Sequence, residues 1–194
     1  MRNRMAILVG LACAATASAE VTGPVTYNID PEHTYPSFEA DHMGGLSTWR
    51  GKFNTTTGTI VLDRQAQTGT VDITIDTTSV DFGHDGMNDH AKSPDMLDVA
   101  QYPTATYTGK LVDFKDGAPT AVEGTLTLRG VSKPVKLEIR RFLCKQHPMR
   151  GKEVCGADAH GTFNRADFGI DYGKQFGFLM DIGLAIQVEA LIAD

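Results

Sequence analysis

The sequence predicts an all-β fold, an antiparallel barrel of about eight strands with a short helical cap. Three observations point there. Nearly every segment after Val25 alternates apolar with polar residues, the period of a strand with one dry and one wet face. Gly, Pro, Asn and Asp turns separate these runs, and no long amphipathic helical pattern interrupts them. Many inward positions are also very small: Ala40, Gly51, Gly58, Gly124, Ala157, Ala159 and Gly161. A two-sheet sandwich would hide the same faces, but its core needs more volume there, whereas an eight-stranded barrel can hold one small ligand. The competing reading is that the glycines only relieve bends in coiled strands.

In chain order, Phe38, Ala40 and His42 share one side of a first long strand, opposite Ser37, Glu39 and Asp41. Gly51, Phe53, Gly58, Ile60 and Leu62 continue the inward side through residues 49–63. Val71, Ile73 and Ile75 alternate with Asp72, Thr74 and Asp76, and the run ends at Val80. Alternation stops over residues 84–98. There Ser93-Pro94-Asp95 offers an N-cap serine, a first-turn proline and an early carboxylate, so the spacing predicts a short helix starting near Pro94. Pro103 then sets an extended entry into residues 104–108, with Ala105 and Tyr107 on the dry side. Val122, Gly124, Leu126 and Leu128 precede an Arg129-Gly130 turn, and Val135, Leu137 and Ile139 follow it, which makes a hairpin. Ala157, Ala159, Gly161 and Phe163 line the next strand. Ile182, Leu184, Ile186, Val188 and Ala190 line the last and most regular one.

At the N-terminus, Arg2 and Arg4 precede an apolar run over residues 5–15, and Ala17-Ser18-Ala19 forms a small-residue cleavage site. This is the pattern of a secretory signal over residues 1–19, with a mature domain over residues 20–194 in the periplasm. Gly10-Leu11-Ala12-Cys13 is a weaker match to a lipoprotein site, since glycine stands where leucine is usual. No stretch reaches the roughly 20 apolar residues of a transmembrane helix. The formal charge of -6 argues against nucleic acid as a partner. Removal of the signal leaves two cysteines, Cys144 and Cys155, and an even count in an oxidising compartment predicts a disulfide.

Several separated motifs carry a resemblance across nearly the whole mature chain. They are Asp30-Pro31-Glu32-His33, Phe38 with His42-Met43-Gly44, Arg50-Gly51-Lys52-Phe53, Ile75-Asp76-Thr77-Thr78-Ser79-Val80, Asp89-His90 through Lys92-Ser93-Pro94-Asp95, and Tyr102-Pro103. Later come the run from Gly124-Thr125-Leu126 to Lys133-Pro134-Val135 and the turn Asn164-Arg165-Ala166-Asp167-Phe168-Gly169. In this order they resemble the YceI-like family of exported polyisoprenoid-binding proteins. Asn88 and Ala91 depart from the arginine and leucine the family often carries there. The resemblance implies a lipocalin-like barrel around a long apolar chain, such as a polyprenyl lipid or prenylated quinone.

With strand parity, this nominates Phe38, Ala40, His42, Phe53, Ile73, Tyr107, Leu126, Ala157, Ala159, Gly161, Phe163 and Ile186 as ligand-binding residues. His42 is the polar member. It either meets a ligand head group or is a buried histidine satisfied by a neighbouring carbonyl. Asp81, His84, Asp85, Asp89 and His90 cluster in sequence, but their spacing matches no closed zinc pattern, and capping of a wet loop explains the acids, so no metal is expected. Asp81-Phe82-Gly83 and Asp167-Phe168-Gly169 spell a kinase tripeptide without the accompanying motifs and read as turns. Asn54-Thr55-Thr56 fits a glycosylation acceptor of a kind frequent by chance. No Gly-x-Ser-x-Gly elbow occurs. The expectation is a carrier of an isoprenoid lipid or quinone, with no catalytic residue and no cofactor. Its rivals are an enzyme using His42 or residues 84–90 on such a lipid, and an interaction protein with a filled core. A homodimer is left open.

Overall fold

Among the described residues eleven strands and one α-helix follow in chain order: β1 (Val25–Ile29), β2 (Tyr35–His42), β3 (Ser47–Phe53), β4 (Thr56–Asp63), β5 (Thr68–Asp76), β6 (Val80–Asp81), α1 (Asp85–Lys92), β7 (Thr104–Val112), β8 (Ala121–Leu128), β9 (Val131–Gln146), β10 (Glu153–Asn164) and β11 (Asp181–Ile192). The computed structural model describes residues 23–194, so the signal segment, Cys13 and a start at Glu20 lie outside the described residues. Eight of the strands close a ring in the order β1, β4, β5, β7, β8, β9, β10, β11, with β11 pairing back onto β1, and every pairing is antiparallel. Closure removes the unpaired edges that an open sheet would expose.

The remaining strands extend the same wall. β11 pairs with β1 through Ala190–Ile192 and with β2 through Ile182–Gln187, so β1 and β2 act as one long strand broken at residues 30–34. The Thr34 hydroxyl spans the break, donating to Glu189 O at 3.0 Å and accepting from Glu189 N at 3.1 Å. β3 pairs with β2, and β6 with β3, so the run expected over residues 49–63 is really two strands separated at Asn54-Thr55. The run that ends at Val80 is likewise broken, by a 3-10 turn over Thr77–Ser79 between β5 and β6, so three broken pairs plus β7 to β11 account for the eight expected strands.

The helix differs from the sequence expectation. α1 ends at Lys92, and Ser93 is its C-cap with extended backbone (φ -66, ψ 164) and its N–H on His90 O. Pro94 holds Ser93 extended, a conformation that suits either end of a helix; here the residues after it form only turns, with Met96 N and Asp98 N both on Ser93 O, so the helix is the one that precedes the pair. The N-cap is His84, whose Nδ1 accepts from Met87 N at 3.2 Å. The Asn88 side chain accepts from Phe82 N at 2.7 Å, tying α1 to the end of β6, while Ala91 is buried beneath it.

The Arg129-Gly130 turn joins β8 to β9 with both residues at positive φ (51 and 73), the two-residue turn whose twist matches its flanking strands. Opposite β10, β9 carries one extra residue, because Ile139 faces Ala159 while Arg141 faces Asp158. This bulge at Arg140 shifts parity, so Ile139 and Phe142 both point inward. The two strands continue to Gln146 and from Glu153, and Cys144 and Cys155 are register partners joined by the expected disulfide.

A buried apolar cluster runs around the inside, from Tyr27, Leu62 and Ala190 at the disulfide end to Leu128, Phe168 and Ile170 near the helix. Among the described residues no helix is long and apolar enough to cross a membrane.

Candidate ligand cavity

The inward side chains do not fill the barrel. They enclose a mainly apolar cavity of about 500 Å³, within the range of roughly 300–1,000 Å³ typical of ligand pockets. Phe38, Ala40, His42, Phe53, Ile73, Tyr107, Leu126, Ala157, Ala159, Phe163 and Ile186 all line it. Gly161 does not: a Cβ there would stand 2.8 Å from Leu137 Cδ2, so the missing side chain makes room for a neighbour and not for lumen.

Other glycines behave in the same way. The Tyr107 ring lies directly over Gly124, and Phe38 Cζ would be 2.7 Å from a Cβ on Gly51. Gly58 instead lets β4 approach the β5 backbone at Asp72 and Ile73, with φ at +147°. Small inward residues thus split into two classes. Alanines 40, 157 and 159 border the cavity, while glycines 51, 124 and 161 are seats for larger side chains.

The two ends differ chemically. At the disulfide end the wall is sealed by buried Tyr27, Leu62, Leu111 and Ala190. Behind it the Tyr27 hydroxyl donates to Glu153 Oε1 at 2.5 Å, and Arg64 Nη2 reaches Glu153 Oε1 at 2.7 Å and the Tyr27 hydroxyl at 2.9 Å. Burial, with the bond to Glu153, pushes the Tyr27 phenol up. Burial also opposes the Glu153 charge, but bonds from Arg64 and Tyr27 outweigh it and hold that carboxyl below the usual carboxylate range. Tyr107 is likewise pushed up by burial, and its hydroxyl donates to Val135 O at 2.8 Å.

At the helix end the lining becomes aromatic and partly polar, with Asp41, His42, Trp49, Phe82, His90, Arg165, Tyr172 and Phe178. His42 meets Phe178 edge-on (centroids 5.4 Å apart, 89°) and Trp49 at 6.1 Å. Aromatic edges therefore hold this ring, in place of the carbonyl weighed from sequence. Asp41 accepts from Gly44 N, Gly45 N and Leu179 N, bonds that lower its pKa and clasp two loops across this end. Exposed Met43, Leu46, Phe176 and Leu179 lie on those loops. Since Tyr172 is 41% exposed here while Tyr27 is 1% exposed at the other end, the cavity opens beside α1.

A family model for the YceI-like domain matches residues 27–193. The chain belongs to the YceI-like family. Protein YceI of Escherichia coli O6:H1 is 36% identical over 190 residues, covering 95% of this chain and 96% of that protein. A UPF0312 protein of Pectobacterium atrosepticum is 32% identical, covering 98% of each. Among solved structures, a Campylobacter jejuni YCEI protein aligns with a TM-score of 0.65 at 28% identity, covering 77% of this chain and 88% of that one. A polyisoprenoid binding domain from Saccharophagus degradans aligns with a TM-score of 0.62 at 17% identity, covering 87% and 99%, a likeness of fold.

In this YceI-like barrel, Asp81 and His84 bond to backbone, and the His90 ring meets Tyr172 with centroids 4.7 Å apart. Asp81 accepts from Gly83 N, then from Asn54 and Asn88, contacts that lower its pKa. His84 caps α1. Asp167-Phe168 ends a 3-10 turn whose Phe168 is buried edge-on to Phe163 (5.3 Å). Among the described residues one group of three Cys, His, Asp or Glu side chains stands close enough for a metal, Cys144, Glu153 and Cys155, and its two sulfurs are bonded to each other. Parity reasoning missed Trp49, Met87, Ala91, Met96, Leu97, Ile170, Tyr172 and Phe178, all lining the cavity. Apart from Trp49, which belongs to β3 but was not placed on the inward face, these come from α1 and loops, where no period-two signal exists.

Proposed function

We propose that this YceI-like protein is an exported, non-enzymatic carrier that takes up the chain of an isoprenoid lipid or prenylated quinone in its barrel. The observation that carries the reading is the apolar cavity of about 500 Å³, sealed at the disulfide end and open beside α1. Such a shape suits an amphiphile with its tail inside and its head group at the mouth. The polyisoprenoid-binding description of the Saccharophagus degradans domain supports this ligand class. The disulfide is compatible with an oxidising compartment, and the N-terminal sequence pattern adds support for export. Burial supplies the affinity: at about 0.8 kcal/mol per methylene, a five-carbon unit contributes up to about 4 kcal/mol before the cost of association.

A length series tests this. Delipidated protein is titrated with farnesol, geranylgeraniol and longer polyprenols, and affinity is expected to rise with each added unit until the cavity is filled. Equal, weak affinity at every length would refute a tail-burying cavity.

A further inference from the structure

Arg165 is the group in the cavity wall that an apolar ligand leaves unexplained. It is 6% exposed, lines the cavity at the helix end, and makes no ion pair with any described carboxylate. Its backbone is fixed, because Arg165 N donates to Met180 O at 2.8 Å and Asn164 Oδ1 caps the 3-10 turn through Ala166 N. The guanidinium uses two of its five N–H donors on backbone carbonyls, Nη1 on Ile170 O at 3.0 Å and Nη2 on Tyr172 O at 2.8 Å. The nearest acids that act on it are Asp171 and Asp41, and the Asp41 carboxylate is committed to three backbone N–H groups.

Holding two carbonyls requires donors but no charge. A buried cation beside apolar walls is costly without a counter-ion, and Asp171 and Asp41 act on this one only at a distance, so a purely structural role leaves the charge without a direct partner. An anion at the mouth would complete it, and a guanidinium offers a phosphate paired N–H donors in a fixed plane. We infer that Arg165 is the head-group anchor of the cavity and that the ligand it selects is an isoprenoid bearing a phosphate or pyrophosphate, its chain running from Arg165 toward the disulfide end. This rests on the carrier reading above and adds the chemistry of the head group.

The test compares geranylgeranyl phosphate with geranylgeraniol, identical in chain, on delipidated protein. The native protein is expected to bind the phosphate at least about tenfold more tightly, as for a hydrogen bond to a charged group. Arg165→Met is expected to bind the two ligands nearly equally, the loss falling mainly on the phosphate. If Arg165→Met does not fold, Arg165→Lys replaces it; that variant keeps the charge but loses the paired planar donors, and its preference is expected to shrink. Equal binding of both ligands by the native protein, or an unchanged preference in a folded variant, overturns the anchor and leaves the carrier reading standing. Binding of neither ligand overturns the carrier reading itself. Inorganic phosphate alone is expected to bind far more weakly than the lipid, and equal affinity for it would overturn the lipid assignment.

Discussion

Placing an indole where a lipid tail is expected tests the cavity at one residue. Ala159 is buried on β10 between its register partners Ile139 and Ile186, all three lining the cavity. In Ala159→Trp the new side chain would take up about 150–250 Å² of apolar contact otherwise available to the ligand. At about 25 cal/mol per Å² this is a ceiling of about 4–6 kcal/mol of lost ligand burial, so affinity for a long polyprenol is expected to fall at least about 100-fold. His160 does not line the cavity, and His160→Trp should bind like the native protein. Because the indole enters existing space, the stability cost should stay below the roughly 1–3 kcal/mol typical of overpacking a filled core. Tryptophan-quenching titrations and thermal melts on both variants give the two numbers. If Ala159→Trp folds with native stability and retains native lipid affinity, the ligand does not occupy this part of the barrel and the reasoning fails.

Three further outcomes follow from the geometry. Reducing or replacing the Cys144–Cys155 bridge should lower unfolding free energy by about 2–3 kcal/mol, read from urea melts with and without reductant. Because the folded Glu153 carboxyl lies below its ordinary 4.5, its stabilisation is fully present above about pH 4.5 and is lost as pH falls through the lower folded value; Glu153→Gln should be less stable at pH 7 by about 1–2 kcal/mol and lose that part of the acid sensitivity, measured by melts at stepped pH. Gly124→Ala should cost about 1–3 kcal/mol by driving a Cβ into the Tyr107 ring, and a stability equal to native would show that the ring has room to move.

Strands were legible in the sequence because period two is written at every residue. Phe38, Ala40 and His42, or Ile182 through Val188, point where alternation says they should. Where geometry depends on what lies across the barrel, the pattern is silent. Gly124 and Ala159 look alike as small inward residues, yet one seats Tyr107 and the other borders open space, a difference set by the register between β7 and β8. The Arg140 bulge is invisible for the same reason, since it exists only against β10. Ser93-Pro94 was ambiguous locally: both ends of a helix can use that pair, and the cap supplied by His84 decided it. Beyond the strand residues Asp41, His42 and Trp49, the helix-end lining, Arg165, Tyr172 and Phe178 included, comes from α1 and turns whose side-chain directions no period-two pattern encodes.

The central claim is that the barrel carries an isoprenoid chain, and the contents of the protein as made by the cell test it most directly. Protein purified without detergent, extracted with organic solvent and read by mass spectrometry, should release close to one equivalent of a lipid whose mass ladder shows five-carbon isoprene units. An extract with no lipid, or with only straight-chain fatty acyl species in stoichiometric amount, would contradict the account.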